Sequence, residues 1–146
     1  MITVERTVEI DRPVEVVFTF LADFTHTEQW DPGTVSTTRT DSGPLRVGAR
    51  FHNVSEFRGR RTELDYRVVR LDPNEHLTFT GDNRTVTASD DMAFRSTGSG
   101  THITYRAHFR FKRWARLAEP LLRPGFGKIA DRTVAQLRSA LETLPR

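Results

Sequence analysis

Three side chains capable of acid–base chemistry occupy positions that an alternating strand turns toward the protein interior. Arg6 lies between Val4 and Val8, in a segment where apolar and polar residues alternate. Asp90 and Tyr105 also occupy positions that alternate with apolar residues, in two later segments. Such a trio in an apolar environment can polarise a carbonyl or move a proton at an enol, as aldol cyclisation and dehydration require. The alternative is a structural ion pair, since buried ion pairs are common without catalysis.

Further polar residues share this inward phase. They are Asn53, Ser55, Thr62 and Tyr66. A buried polar group without a partner costs free energy, so these groups must bond to each other, to water or to a ligand. The pattern predicts the wall of an amphipathic cavity that admits a ligand. The alternative is a filled core in which the few polar groups are satisfied or reach solvent at strand ends.

The signatures of several other kinds of site are missing from the sequence. Cysteine is absent, which excludes disulfides, thiolate metal ligands and a cysteine nucleophile. The histidines fall on predicted outward faces or in connections, so we expect no metal site. We find no nucleophile elbow, phosphate-binding loop or dinucleotide fingerprint, and we expect no cofactor. The histidines concerned are His26, His52, His76, His102 and His108.

Composition indicates an ordinary globular protein. The chain has 146 residues, of which 28% are charged, and a net charge of +3, so we expect a single domain over residues 1–146. Basic residues cluster within residues 58–61 and 106–116. Because we expect the basic surfaces to lack interleaved aromatic side chains, we expect a solvated edge and no nucleic-acid partner. Because no apolar run is long enough to span a membrane and the alternating N-terminus does not resemble a secretion signal, we expect a cytoplasmic protein.

Hydrophobic periodicity predicts the elements that would position these residues. An alternating strand over residues 2–10 precedes a helix that begins near Pro13 and ends near Asp23, and a short helix or turn follows over residues 27–30. Strands separated by hairpin-length breaks then predict an antiparallel meander. These strands span residues 35–40, 50–57, 62–71, 76–80, 85–95 and 101–111.

The C-terminal part of the chain changes to a helical period. A short amphipathic stretch over residues 114–122 is expected to break at Pro124 and Gly125. A long helix with one apolar stripe follows, from Phe126 to Leu144. We therefore predict an α+β fold, in which this helix covers a seven-stranded antiparallel sheet and two short helices follow the first strand.

Hairpin geometry predicts which residues lie opposite each other. Turns at residues 58–59 and 82–83, and loops at residues 72–75 and 97–100, keep the apolar residues of all the strands on one face of the sheet. The expected pairs include Phe51 with Tyr66, Val68 with Phe79, Phe79 with Val86, and Asp90 with Ala107.

Four segments resemble the START-like, or helix-grip, superfamily: VEIDRPVEVVFTFLADFTHTEQWDPG, LDPNEHLTFTG, GTHITYRAHFRF and ARLAEPLLRPGFGKIADRTVAQLRSALETL. Within it, the chain is most similar to the polyketide cyclase/dehydrase and lipid-transport group of small bacterial proteins. The resemblance covers nearly the whole chain. It implies a curved seven-stranded sheet that grips the C-terminal helix, with a deep hydrophobic cavity between them.

The superfamily topology also implies where the acid–base residues lie. Its last strand lies between the first and the sixth, so the backbones at Arg6 and Asp90 would be about 10 Å apart, with Tyr105 on the strand between. A long arginine and an aspartate can bridge that gap. No catalytic residue of the superfamily maps onto this sequence, so function must be argued from the site itself.

Three hypotheses of function follow. The first is binding of a hydrophobic small molecule, such as a lipid, a sterol or a polyketide-like compound. The second is a polyketide cyclase/dehydrase-type enzyme that uses Arg6, Asp90 and Tyr105 in the same cavity. The third is a partner-binding regulator, which predicts an exposed apolar patch at Trp114, Leu117, Leu121 and Leu122. The expected partner is therefore a hydrophobic ligand, and a homodimer is left open.

The residues expected to contact the ligand combine inward strand positions with the helix stripe. Trp30 and residues 114–126 are expected to frame the cavity mouth. The full set is Trp30, Phe51, Asn53, Ser55, Tyr66, Phe79, Met92, Phe126 and Ile129.

Overall fold

One antiparallel sheet of seven strands dominates the computed structural model, which describes residues 1–145. The strand order across the sheet is β1-β7-β6-β5-β4-β3-β2, so β7 closes back beside β1. The predicted α+β class and antiparallel meander are confirmed. The strands are β1 (Ile2–Ile10), β2 (Thr34–Arg39), β3 (Arg50–Phe57), β4 (Arg60–Asp72), β5 (His76–Asp82), β6 (Val86–Ser96) and β7 (Thr101–Phe111).

The helices occupy the connection after β1 and the end of the chain. Helix α1 spans Val14–Ala22 and α2 spans Thr27–Trp30, with a 3-10 turn at Phe24–His26 between them. A second 3-10 segment, Arg113–Ala118, leads into the long helix α3 at Glu119–Glu142. The short helices before β2 are as predicted, and the arrangement is a helix-grip fold. The predicted C-terminal helix is present, but it begins at Glu119 instead of at Phe126. Within residues 1–145 no helix combines the length and apolar character needed to cross a membrane.

The predicted break at Pro124 and Gly125 is wrong, because α3 runs through both residues. Pro124 falls in the second turn of α3, where its ring removes only one backbone hydrogen bond of the helix. Phe126, directly after Gly125, is buried against aromatic rings of the sheet. We infer that this packing offsets the lost hydrogen bond.

The apolar core lies between the inner face of the sheet and α3. The stripe that α3 buries continues to Leu137 and Leu141, which are fully buried. On the sheet, strand alternation separates the two faces as predicted. The inward set Phe51, Tyr66, Phe79, Val86, Phe94 and Ile103 is buried, whereas Glu63, Asp65, Arg67 and Arg106 are exposed on the other face and Thr104 is half-buried there.

Most of the predicted strand register is confirmed. Phe51 lies opposite Tyr66, Asp90 lies opposite Ala107, and Val68 lies opposite Phe79. The last pair is reached through a bulge in β4, because Asp72 already pairs with His76 across a shorter loop than expected.

The predicted two-residue turn at residues 82–83 is wrong. Asp82 pairs with Thr87, so Phe79 lies opposite Asp90 instead of Val86. The side chain of Asn83 causes the longer loop, because its Oδ1 accepts hydrogen bonds from the backbone N–H of Thr85 (2.8 Å) and of Val86 (2.9 Å). The register differs by an even number of residues, so the same side chains still point inward.

Truncating the buried stripe of α3 should destabilise the fold far more than truncating its exposed face. We expect Leu137→Ala to lower the free energy of unfolding by about 2–5 kcal/mol, since it opens a cavity at a fully buried position. Leu121→Ala, the same change on the same helix at a side chain that is 79% exposed, should cost less than about 0.5 kcal/mol. Urea unfolding of both variants measures the difference, and equal losses would contradict the packing described.

Candidate functional site

A cavity of about 410 Å³ lies between the inner face of the sheet and the N-terminal part of α3. It exists because small side chains meet there: Ala88 of β6, Ala107 of β7 and Ala130 of α3 all line it. Farther along the same elements the inward side chains are larger, and Met92 and Leu137 are fully buried. The change in side-chain size along the strands and the helix therefore sets where the core ends and the cavity begins.

An aromatic cluster borders the cavity beside the β3–β4 turn. The ring of Phe126 on α3 lies 5.7 Å from that of Phe57, 4.6 Å from that of Phe109 and 6.3 Å from that of Phe111, measured between centroids. The guanidinium of Arg58 lies 5.3 Å from the centroid of the Phe57 ring. Arg58 is exposed and also lines the cavity, so the cavity reaches solvent on this side.

Asp90 and Tyr105 form a hydrogen-bonded pair in the cavity wall. The Tyr105 hydroxyl donates to Oδ1 of Asp90 over 2.6 Å. Burial raises the pKa of Asp90 to about 7, a shift that the Tyr105 hydrogen bond opposes and the nearby charge of Asp31 reinforces. The pKa of Tyr105 is also raised, chiefly by burial and then by the charges of Asp90 and Asp31. At neutral pH the carboxyl of Asp90 can therefore either donate or accept a proton.

Asp31 places a second carboxyl in the same cavity. It follows α2, and its oxygens accept hydrogen bonds from the backbone N–H of Gly33 at 3.3 Å and from the hydroxyl of Thr34 at 2.7 Å. Burial raises the pKa of Asp31 even though both hydrogen bonds favour the ionised form. The turn thus holds this carboxyl in a fixed orientation against the cavity.

Tyr66 adds a second phenol because a glycine leaves room for its ring. Gly81 lies opposite it on β5, and a Cβ at that position would come within 2.7 Å of the Tyr66 ring. The Tyr66 ring also contacts Phe24, with centroids 4.7 Å apart. Burial raises the pKa of Tyr66 well above its usual value, so its hydroxyl stays protonated and can donate a hydrogen bond in the cavity.

The structure separates the predicted ligand-contacting residues into two groups. Ser55, Tyr66, Phe126 and Ile129 line the cavity, together with Asp90 and Tyr105. The others lie outside its wall. Trp30, Phe51, Phe79 and Met92 are fully buried in the core, and Asn53 is buried with its amide donating to the hydroxyl of Thr37.

Two expectations about these residues are corrected by this placement. Trp30 does not frame a mouth, because it is only 1% exposed and packs edge-on against the Tyr105 ring. The predicted inward phase of Phe51, Phe79 and Met92 is confirmed, but these residues are buried in the core and do not line the cavity.

Arg6 forms its ion pair with Asp131 of α3 and not with Asp90. Its Nε donates to Oδ1 of Asp131 over 2.6 Å, and a second guanidinium nitrogen donates to the carbonyl of Gly127 over 3.2 Å. The expected bridge to Asp90 fails because β1 is an edge strand beside α3. The side chain of Arg6 is half-buried and lies against α3, instead of extending across the inner face of the sheet to Asp90.

Asp31 is the site residue that sequence reasoning missed. The segment Asp31-Pro32-Gly33 indicates the end of a helix, which it is, and aspartate is common in such turns. No local signal distinguishes a turn aspartate that faces solvent from one that faces a cavity. Its role depends on where the turn lies against β3, β6 and α3.

Three of the histidines bond to carboxylates on the outer face of the sheet: His52, His76 and His102. His52 bonds to Asp65 at 2.8 Å and to Glu63 at 2.7 Å, which raises its pKa. His76 bonds to Asp91 at 2.7 Å. In the part of the chain that the structure describes, no group of three or more potential ligands comes together in a way that could hold a metal ion.

An exposed apolar patch is formed by residues of the 3-10 segment before α3 and of the first turn of α3. Trp114 is 70% exposed, Leu117 is 83% exposed and Leu121 is 79% exposed. Leu122, which the sequence pattern assigns to the patch, lines the cavity instead.

Comparison with known proteins agrees with this architecture. The family model described as polyketide cyclase/dehydrase and lipid transport matches residues 1–142. No curated protein matches the sequence.

Several solved structures share the fold. The Zhui aromatase/cyclase from Streptomyces sp. R1128 superposes with a TM-score of 0.76 at 16% identity, over 97% of this chain and 91% of the other. A START superfamily protein from Mycobacterium smegmatis superposes with a TM-score of 0.74 at 19% identity, over 97% of this chain and 94% of the other. A protein from Thermus thermophilus superposes with a TM-score of 0.76 at 17% identity, over 97% of this chain and 94% of the other. At these identities the likeness establishes the fold.

The raised pKa of Asp90 predicts a specific dependence of stability on pH. Between about pH 4 and pH 7 the folded state holds a proton on Asp90 that the unfolded state has lost, so this residue makes the protein less stable as pH rises through that range. Asp90→Asn removes the effect, and the unfolding free energy of the variant relative to the wild type should increase from pH 4 to pH 7.

The control for this prediction is Asp91→Asn on the outer face of the same strand. The pKa of Asp91 is lowered although burial alone would raise it, because Thr78 and His76 bond to it. Its contribution to stability is therefore lost only below about pH 4, and the unfolding free energy of Asp91→Asn relative to the wild type should stay nearly constant from pH 4 to pH 7. Urea unfolding as a function of pH measures both variants. Parallel profiles for Asp90→Asn and the wild type would show that Asp90 titrates normally.

Proposed function

This chain belongs to the polyketide cyclase/dehydrase and lipid transport family, and on that premise we propose that it binds a hydrophobic small molecule between its sheet and α3. The ligand would be of the size and character of a lipid, a sterol or a polyketide-like compound. The observation that carries the proposal is the cavity of about 410 Å³, a volume typical of small-molecule sites.

The chemistry of the wall supports an apolar ligand with one polar end. The rings of Phe57, Phe109 and Phe126 border one part of the cavity and offer apolar surface to a ligand body. The hydroxyls and carboxyls lie on other parts of the wall, where Tyr105 and Asp90 can hydrogen bond to a polar group. Binding then removes apolar surface from water on both partners, at about 25 cal/mol per Å².

An enzyme in the same cavity is the second candidate, and the Asp90–Tyr105 pair favours it. A carboxyl with a pKa of about 7 beside a phenol suits proton transfer at an enol or a carbonyl near neutral pH. Arg6 has no part in this version, because it is engaged with Asp131. If a bound compound is turned over, Asp90→Asn should abolish turnover and leave binding within a few-fold, while Asp91→Asn should retain both.

Filling the cavity should weaken binding without unfolding the protein. We expect the neutral fluorescent probe N-phenyl-1-naphthylamine to bind to the wild type with micromolar affinity, and Ala107→Leu to weaken it at least tenfold, since the added atoms occupy the space between β7 and α3. Ala93→Leu, the same change on the outer face of β6, is the matched control and should bind as the wild type does.

Fluorescence titration measures the affinity, and the thermal unfolding midpoint of each variant shows whether it is folded. The absence of saturable probe binding to the wild type would contradict the proposed function. Equal weakening by Ala107→Leu and Ala93→Leu would place the binding surface somewhere other than the cavity.

A further inference from the structure

The cavity wall carries charged residues of both signs at its exposed edge, but of one sign only farther inside. Glu56, Arg58 and Arg132 line the cavity and are exposed, so their charges are solvated at its edge. Asp31 and Asp90 line it without being exposed, and both are carboxylic acids. The charged residues in the interior of the cavity are therefore all acidic.

Neither interior carboxyl has a basic partner within residues 1–145. The partners of Asp31 are the backbone N–H of Gly33 and the hydroxyl of Thr34, and the partner of Asp90 is the hydroxyl of Tyr105. Arg6, whose position on β1 has the inward phase, is engaged with Asp131. The cavity thus holds two potential negative charges for which the fold supplies no counterion.

A ligand can supply the missing positive charge. A carboxylate in a poorly hydrated site is costly when unpaired, and the cost falls when an ammonium group hydrogen bonds to it. A neutral hydroxyl on the same ligand gains only an ordinary hydrogen bond, and a carboxylate on it is repelled. We propose that the cavity selects apolar compounds that carry a protonated amine, with the ammonium group bonded to Asp31 and Asp90. This inference rests on the proposed function, because it names the ligand class of the same cavity.

Proton release is a second consequence. The groups that face Asp90 are Asp31 from the turn after α2, Tyr66 from β4 and Tyr105 from β7, and none is basic. Arg132 of α3 is at the solvated edge, and Arg6 of β1 bonds to α3. Because Asp90 has a pKa of about 7, it is mostly protonated at pH 6, and a bound ammonium should ionise it and release about one proton. A neutral ligand should release none.

Isothermal titration calorimetry with matched probes tests the inference. The probes are 2-naphthylmethylamine, its neutral counterpart 2-naphthylmethanol, and 2-naphthylacetate. For the wild type at pH 8 we expect the amine to bind at least tenfold more tightly than the alcohol, and the acetate more weakly than either. At pH 6, titrations in two buffers of different ionisation enthalpy should show proton release for the amine and none for the alcohol.

Two variants assign the effect to the carboxyls. Asp90→Asn and Asp31→Asn should each reduce the preference for the amine over the alcohol at least threefold and leave alcohol binding within twofold. Asp91→Asn, on the outer face of β6, should keep the full preference. If either cavity variant fails to fold, the proton-release measurement on the wild type still decides.

Each outcome supports or overturns the inference. Equal affinities of amine and alcohol for the wild type, or amine binding without proton release at pH 6, would overturn it while the proposed function stands. An amine preference that survives both cavity substitutions would overturn the assignment to Asp31 and Asp90. If neither N-phenyl-1-naphthylamine nor the alcohol binds, the proposed function itself fails, and the inference fails with it.

Discussion

The anchoring of α3 at its C-terminal half is the constraint on which the rest of the structure depends. Leu137 and Leu141 fill the core at that end, and the guanidinium of Arg12 donates to the backbone carbonyls of Leu144, at 3.0 Å, and of Glu142. A cation at the last turn also complements the helix dipole. With this end held against the sheet, the small side chains of Ala88, Ala107 and Ala130 leave space unfilled toward the other end of α3, and a cavity results.

Polar groups inside that space acquire their chemistry from this geometry. The carboxyl of Asp90 has a raised pKa because apolar walls and the charge of Asp31 surround it, while Asp91, one residue along β6 on the outer face, has a lowered one. Strand alternation thus gives two adjacent aspartates opposite properties. The inner one is suited to hydrogen bonding with a ligand or to proton transfer, and the outer one forms ordinary surface pairs with His76 and Thr78.

Alternation and turn signals were enough to predict the fold and which side chains point inward, because both depend on local backbone geometry. Features that depend on tertiary placement were not predictable in this way. The inward phase of Met92 and of Ala88 is the same, yet one is packed in the core and the other lines the cavity, since the outcome also depends on which side chains of α3 and of the neighbouring strands face each position. Arg6 and Asp31 illustrate the same limit: the first bonds to α3, and the second reaches the cavity from a turn.

The most direct measurement of the central claim is an alanine-methyl NMR titration of the protein with N-phenyl-1-naphthylamine. Ala88, Ala107 and Ala130 line the cavity, Ala49 is buried in the packed core, and Ala118 lies beside the exposed apolar patch. The account predicts saturable shifts of the three cavity methyls, with Ala49 and Ala118 unchanged. Shifts confined to Ala118, or no shifts at saturating probe, would contradict a ligand-binding cavity between the sheet and α3.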